Sequence, residues 1–334
     1  MRRKIRFGII GCSRIAENST IPAILQSGYA EVVNIGSRSK SKASMLAMKF
    51  NCKHSSSYEH VLADTNVDAV YISTPVGLHE ENVIAAANAG KHILCEKSST
   101  TSFESAQRMV SESKKNNVRL MEGFMFRFHP SHNKVKSIIS DRTLGNLYSF
   151  NSTYGLFPVP TDDIRYNHLI GGGVLNDAGC YPICASRMLF GKEPISVTAF
   201  LHFDKVASVD ILAMITLDYG DGQMAEMSVG YDLYYQSQYT LWGSEGILKL
   251  SRAFNIPSDM KPIIYLDAKT KNEQILVDPV NHFTLMVDEF CKEILGIGSA
   301  DFNFEKDILC QARIMQAARI SAKEKRTVNL SEIL

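Results

Sequence analysis

The stretch Ile5-Arg6-Phe7-Gly8-Ile9-Ile10-Gly11-Cys12-Ser13-Arg14-Ile15-Ala16 decides the fold. It opens with a short, mainly apolar run of strand length and passes without a linker into a helical pattern reaching Gln26. The turn between them reads G-x-G-x-x-G/A, with Ser13 in place of the second glycine. Gly11 allows the tight bend, and the small Ala16 lets helix and strand approach. A helix amino terminus placed there offers unpaired N–H groups and a positive dipole end to a pyrophosphate. Gly11, Ser13, Arg14 and Ile15 are therefore the expected contacts, the Ser13 hydroxyl adding a donor while weakening the fingerprint.

The same grammar extends outward. Candidate strands at 5–10, 31–36, 69–73, 92–95 and 119–121 alternate with candidate helices near 15–26, 40–50, 57–63, 80–89 and 103–116. Strands apolar throughout are covered on both faces, and β-then-α alternation implies parallel pairing through right-handed crossovers. Residues 1–122 are thus predicted to form a doubly wound parallel sheet of Rossmann type. The second strand ends in Gly36-Ser37-Arg38-Ser39-Lys40, where an NAD-preferring site usually places Asp or Glu. A guanidinium there suits a 2′-phosphate, so Ser37 and Arg38 are expected to select NADP(H) over NAD(H).

Beyond Gly123 the pattern changes. A helix near 130–140, a strand near 147–154 and a loop with Pro158, Pro160 and Asp162-Asp163-Ile164-Arg165 come first. Gly171-Gly172-Gly173 then opens a helix running to about Phe190. Alternating segments at 195–203, 211–218, 223–229, 239–242 and 247–250 follow, with Gly220-Asp221-Gly222 as a hairpin turn. Helices near 283–295 and 304–322 close the chain. Residues 123–334 are read as one α+β domain with a large, mainly antiparallel sheet.

Composition narrows the function. The 334 residues carry a net charge of +1 and no basic block, which argues against nucleic acid and anionic membranes. No apolar run approaches the roughly 18 residues of a spanning helix. The basic start Met1-Arg2-Arg3-Lys4 leads into a strand rather than a signal-peptide core. Seven scattered cysteines without C-x-x-C suggest reduced thiols and a cytoplasmic setting. Cys180 and Cys184, or His129 and His132, have helical spacing but lack further ligands, so no metal is expected.

Cys95-Glu96-Lys97 ends a buried strand, at the edge where open α/β sheets bind ligands. In the second half, Asp177 and Tyr181 are four apart and share one helix face. With the modified glycine turn, Ser73-Thr74-Pro75 followed by His79, Glu96-Lys97, and Gly-Gly-x4-Asp-x-Gly-x-Tyr, the chain resembles the glucose–fructose oxidoreductase/inositol dehydrogenase (Gfo/Idh/MocA) family over essentially its whole length. Arg127-Phe128-His129-Pro130, Asp162 to Tyr166 and Tyr181-Pro182 are similar to the branch of nucleotide-sugar 3-ketoreductases, which carries Tyr where many relatives have His. Ser98 stands where the family usually has proline.

The resemblance implies NADPH-dependent reduction of a keto group on a nucleotide-linked sugar. It adds Ser73, Thr74, Pro75, His79, Glu96, Lys97 and Arg127 to the expected cofactor contacts. Tyr181 is the implied general acid, with Lys97 stabilising the developing alkoxide; the roles reverse if Tyr181→Phe keeps near-normal turnover. Asp177 orients Lys97 or a sugar hydroxyl, and Arg165 is a substrate or cofactor clamp. Tyr235, within the cluster Tyr231, Tyr234, Tyr235 and Tyr239, is expected in the sugar pocket, although sheet packing explains that cluster equally well. Trp242 is expected in the core. Met214, Met224 and Met227 belong either to a core or to a face that joins copies into a homodimer or homotetramer.

Two other functions share these motifs: a dehydrogenase of free sugars, inositols or dihydrodiols, and a non-catalytic NADP-binding regulator. A short-chain dehydrogenase is disfavoured, because Ala185 occupies the position four after Tyr181 where that class has lysine.

Overall fold

The computed structural model describes residues 3–55, 57–298 and 300–334. The chain divides into two compact units, one of residues 1–125 with 283–309 and one of residues 126–282 with 310–334.

In the first unit, β1 (Ile5–Ile10), β2 (Ala30–Gly36), β3 (Lys53–Ser55), β4 (Ala69–Ile72), β5 (His92–Cys95) and β6 (Leu120–Glu122) form one sheet. The order is β3-β2-β1-β4-β5-β6 and every pairing is parallel. The connections include α1 (Ile21–Gln26), α2 (Lys40–Phe50), α3 (Tyr58–Leu62), α4 (His79–Asn88) and α5 (Phe103–Lys115). Side-chain caps start two of them: Ser39 accepts from Lys42 N and Ser102 from Ser105 N. Strand order reverses between β1 and β4, which puts Gly11 and Ser73 side by side at the topological switch point.

In the second unit, α6 (Pro130–Ser140) begins with proline at its first position and a His129 side-chain cap, as helix starts favour. After it come β7 (Leu147–Gly155), α7 (Cys180–Phe190), β8 (Ser196–Phe203), β9 (Asp210–Asp218), β10 (Met224–Gly230), β11 (Gln236–Gly243), β12 (Gly246–Leu250), β13 (Ile263–Ala268), β14 (Lys271–Leu276) and β15 (Val328–Asn329). These nine strands form one sheet, ordered β14-β13-β12-β11-β7-β10-β9-β8-β15. Only the β7–β10 pairing is parallel. One face buries Phe150, Ile215, Leu217, Met227 and Leu241; the other exposes Phe200, Met214, Met224 and Trp242.

Several expectations are corrected. The continuous split at 122/123 misses the return of residues 283–309 to the first unit. Arg119 explains that return: its Nε donates to Glu305 at 2.9 Å and its Nη1 to Glu293 at 3.2 Å. Phe290 also packs 6.2 Å from Phe7 of β1. Trp242 is 63% exposed rather than core, because it falls on the outward phase of β11. The methionines divide, Met214 and Met224 facing outward and Met227 buried. Strands β3, β13, β14 and β15 go unpredicted by the sequence: β3 and β15 are too short for a period, and the first four of the six residues of β14 are polar. Among the described residues no helix is long and apolar enough to cross a membrane.

Candidate active site

In the first unit the glycine turn follows β1 directly. Gly11 has φ +100°, and a Cβ there would press within 3.2 Å of Ser73 Oγ, so only glycine fits. Ser73 Oγ donates to the Gly11 carbonyl at 3.1 Å, joining the two loops of the switch point. The Ser13 hydroxyl oxygen accepts from Ala16 N at 3.1 Å. Serine at the middle position thus caps the helix, which continues as a π segment over Ala16–Thr20 before α1. Arg14 is exposed and Ile15 half-buried beside this turn. After β2, Ser37 is buried and its Oγ accepts from Ser39 N at 3.1 Å. Arg38 is exposed and adjoins the Tyr58 phenol, whose pKa is raised by burial against the opposing pull of that guanidinium.

Thr74 and His79 hold the next two loops together. His79 is buried, with Nε2 2.7 Å from the Thr74 carbonyl and Nδ1 3.0 Å from the Ser98 carbonyl. Burial lowers its pKa to about 4, so the ring is neutral, and its single N–H donates to one of these two carbonyls while the other ring nitrogen only adjoins the second. Pro75, half-buried, precedes the 3-10 turn Val76–Leu78. Beyond β5, Glu96 is buried and accepts from the Tyr71 hydroxyl, which itself accepts from Thr20 Oγ1 at 3.0 Å. Burial pushes the Glu96 carboxyl up. A buried polar chain therefore runs from the π segment after the glycine turn to the residue before Lys97. Lys97 is half-buried, and the Lys97–Ser98 peptide is cis.

In the second unit, each glycine of Gly171-Gly172-Gly173 has a separate reason. Gly171 has φ +82° and ends a 3-10 turn. A Cβ on Gly172 would come to 2.5 Å from the Arg165 carbonyl, and Gly173, at φ +117°, would drive one into Asp210 Oδ1. Through this opening Asp210, the first residue of β9, accepts from Leu175 N at 2.6 Å. Asp210 thus caps from afar the helix that carries Asp177 and Tyr181. Burial raises its pKa, and the amides of Leu175 and Val174 oppose the rise.

Gly173 N donates to the Arg165 carbonyl at 2.9 Å, fixing the Arg165 loop on the same turn. The Arg165 side chain then donates from Nε to Asp177 Oδ2 at 2.7 Å and from Nη1 to Asp163 Oδ1 at 3.1 Å. Although burial acts to lower its pKa, these carboxylates raise it further, so the guanidinium is permanently charged. The helix opens as a π segment, Leu175–Gly179, before α7; such segments recur at functional sites. Tyr181, only 5% exposed, is walled by Phe126, Tyr154 and Phe254 at ring distances of 5.8, 5.5 and 5.7 Å. Arg127 is half-buried and donates to Cys184 Sγ at 3.5 Å. Among the described residues no cluster of His, Cys, Asp and Glu could hold a metal ion.

The sequence places Gly11 and Ser13 at one turn, to which the structure adds Ser73, and Asp177 and Tyr181 on one helix. It missed the Arg165–Asp177 pair, the Asp210 cap and the Thr20–Tyr71–Glu96 chain. The first two join distant segments and leave no local pattern; Tyr71 inside an apolar strand was the one available signal. The tyrosine cluster separates: Tyr239 is core, Tyr231 is buried beside Tyr166, Tyr234 is exposed and Tyr235 half-buried.

Comparison with known proteins agrees with this architecture. Residues 5–124 match the model of the oxidoreductase family with an NAD-binding Rossmann fold, GFO_IDH_MocA, and residues 132–249 match its C-terminal domain. A dTDP-3,4-didehydro-2,6-dideoxy-alpha-D-glucose 3-reductase of Saccharopolyspora spinosa is 32% identical over 96% of this chain and 97% of its own. D-xylose 1-dehydrogenase (NADP(+)) 2 of Haloferax volcanii is 33% identical over 86% of this chain and 88% of its own. Among solved structures, KijD10, a 3-ketoreductase from Actinomadura kijaniata in complex with NADP and TDP-benzene, superposes with a TM-score of 0.91 at 31% identity, covering 96% of this chain and 98% of that one. The chain belongs to the GFO/IDH/MocA family of NAD(P)-dependent oxidoreductases.

Proposed function

We propose that the protein reduces a keto group on a nucleotide-linked sugar, with NADPH as the hydride source. The observation that carries this reading is the near-full-length likeness to reductases named for that substrate class. The first unit's residues fit the dinucleotide. The Gly11 turn leaves room for close backbone approach, the Ser13-capped helix presents its amino end, and Ser37 and Arg38 stand where a carboxylate would repel a 2′-phosphate. Bound there, the dinucleotide supplies hydride to the carbonyl carbon.

The remaining chemistry is the chain's own. Tyr181 protonates the forming alkoxide, and the Lys97 ammonium stabilises its charge and favours proton release from the phenol. Asp177 fixes Arg165 at 2.7 Å, and the pair holds a polar group of the substrate. Glu96 and His79 steady the loop that carries Lys97, and Arg127 completes the proposed cofactor contacts. The aromatic walls around Tyr181 exclude water from the phenol. A lysine and a tyrosine are also the residues replaced in crystallised variants of KijD10.

The test is the rate of NADPH oxidation with a dTDP-linked keto-sugar, compared with NADP+ reduction by a panel of free sugars and dihydrodiols. Turnover of the first and not the second is expected. The reverse favours the dehydrogenase reading, to which the 33% identity with a D-xylose dehydrogenase lends weight. Arg38→Ala is expected to weaken NADPH by roughly 1.5–3 kcal/mol, read by fluorescence titration.

We further propose a cytoplasmic homodimer or homotetramer joined through the outer sheet face. Phe200 at 68%, Met214 at 63% and Trp242 at 63% exposure make that face too apolar for open water. Light scattering of Trp242→Arg combined with Met214→Glu is expected to report a monomer; an unchanged mass removes the assignment.

A further inference from the structure

Tyr181 is the inner end of a row of aromatic rings that leads out of the core of the second unit. Tyr154 meets it edge-on at 5.5 Å, and Tyr235 meets Tyr154 edge-on at 6.4 Å. Phe157 then stacks on Tyr235 at 5.8 Å with 28° between planes, and Tyr234 meets Phe157 edge-on at 6.1 Å. Exposure climbs along the row to 56% at Phe157 and 84% at Tyr234. The two backbone segments that carry these rings are tied to each other. Leu156 N donates to the Gly230 carbonyl and Leu233 N to the Leu156 carbonyl, each at 3.0 Å. Gly155 permits this closeness, since a Cβ there would come to 2.6 Å from the Tyr234 carbonyl.

A cation completes the arrangement. The Arg252 guanidinium lies 4.7 Å from the centre of the Tyr235 ring. Its segment is pinned to β11, where Ala253 N donates to the Ser237 carbonyl at 2.7 Å and Phe254 N to Ser237 Oγ at 3.1 Å. Among the described residues no carboxylate pairs with Arg252. Exposed rings on two joined loops, beside a guanidinium without a carboxylate, match a planar heterocycle joined to a phosphate: the rings stack the base and the fork donates to the phosphate oxygens.

We infer that Phe157, Tyr234, Tyr235 and Arg252 form the subsite for the nucleoside diphosphate of the substrate. The base stacks on Phe157 and Tyr234, and the diphosphate meets Arg252, so that the sugar lies along the row toward Tyr181. This inference rests on the nucleotide-linked reading above, and it adds the residues that would recognise the handle rather than the reacting sugar.

The experiment is calorimetric titration of the NADP+-saturated protein with thymidine diphosphate, thymidine and inorganic pyrophosphate, on wild type, Phe157→Ser, Tyr234→Ser and Arg252→Gln. Near-ultraviolet circular dichroism verifies that each variant is folded. Each aromatic replacement is expected to weaken thymidine diphosphate by about 5- to 100-fold. Arg252→Gln is expected to weaken the diphosphate while leaving thymidine unchanged, and Tyr234→Phe to restore affinity. Wild-type affinity in all three variants overturns the subsite, as does failure of the wild type to bind thymidine diphosphate. The parent reading is judged separately by NADPH oxidation: turnover of a dTDP-linked keto-sugar with undiminished affinity in the variants sinks the subsite and leaves the reductase standing.

Discussion

The glycine turns at Gly11–Ser13 and Gly171–Gly173 launch the two helices that matter most, and they do so with materials drawn from different distances. Each helix opens with a π segment, Ala16–Thr20 in the first unit and Leu175–Gly179 in the second. At the first turn the cap is local, Ser13 serving Ala16 three residues on. At the second it comes from Asp210, 35 residues beyond the amide it caps, and the Arg165 carbonyl arrives from the other direction. A local device can be exchanged cheaply. A remote one ties three segments together, so its loss disturbs all of them.

Removing the remote cap is the strongest way to break this contrast. Asp210→Ala uncaps the helix and removes a carboxylate that favours the charge of the half-buried Arg319 guanidinium. A cost of about 1–3 kcal/mol is expected from the unsatisfied amide, read as faster amide exchange over residues 174–178. Asp210→Asn, which keeps an acceptor but not the charge, is expected to lie between this variant and wild type. Exchange unchanged from wild type in Asp210→Ala would show that the turn holds itself.

Acid separates the units next. The second unit buries His129, His132 and His282, whose pKa values burial lowers to about 4, 3 and 3, where the first unit has His79, lowered to about 4. The unfolded rings titrate near their ordinary value, so the stability lost is nil above about pH 6.5 and grows as the pH falls toward 4. In that window the unfolded chain binds protons that the native unit refuses. The loss is about 2 kcal/mol per histidine at pH 5. Denaturation followed by Trp242 fluorescence is expected to show this slope, and His132→Gln to flatten it; a pH-independent midpoint between 5 and 7 would contradict it.

The smallest effect belongs to the local cap. Ser13→Ala is expected to cost about 1 kcal/mol and Ser13→Gly a few tenths, with NADPH affinity nearly intact in the glycine variant. A loss of affinity in Ser13→Gly much larger than its loss of stability would give the hydroxyl a direct role in binding the dinucleotide.

The same contrast explains how much was legible in the sequence. The first unit declares itself because Gly11, Ser13 and Ala16 lie within six residues, and apolar runs such as Ala69–Ile72 mark strands buried on both faces. The second unit's helix was legible through Gly171–Gly173 and the Asp177–Tyr181 spacing. Its setting was not, since Asp210 at a strand start and Arg165 in a loop carry no pattern that points to each other. Trp242 was misassigned for a related reason: its side of β11 follows from strand phase, and the face is apolar on both sides of the sheet. Residues 283–309 read as part of their sequence neighbourhood because the residues that hold them to the first unit, Arg119 and Phe7 among them, lie far upstream.

The most direct measurement follows deuterium. Single-turnover reaction with NADPH deuterated at the transferring position and a dTDP-linked keto-sugar, analysed by mass spectrometry, reports the hydride step itself. The account predicts one deuterium in the sugar product of the wild type, and a rate about 10²–10⁴ lower in Tyr181→Phe with NADPH affinity retained. Bound NADPH that transfers no deuterium to any carbonyl, or a Tyr181→Phe variant as fast as wild type, would contradict it.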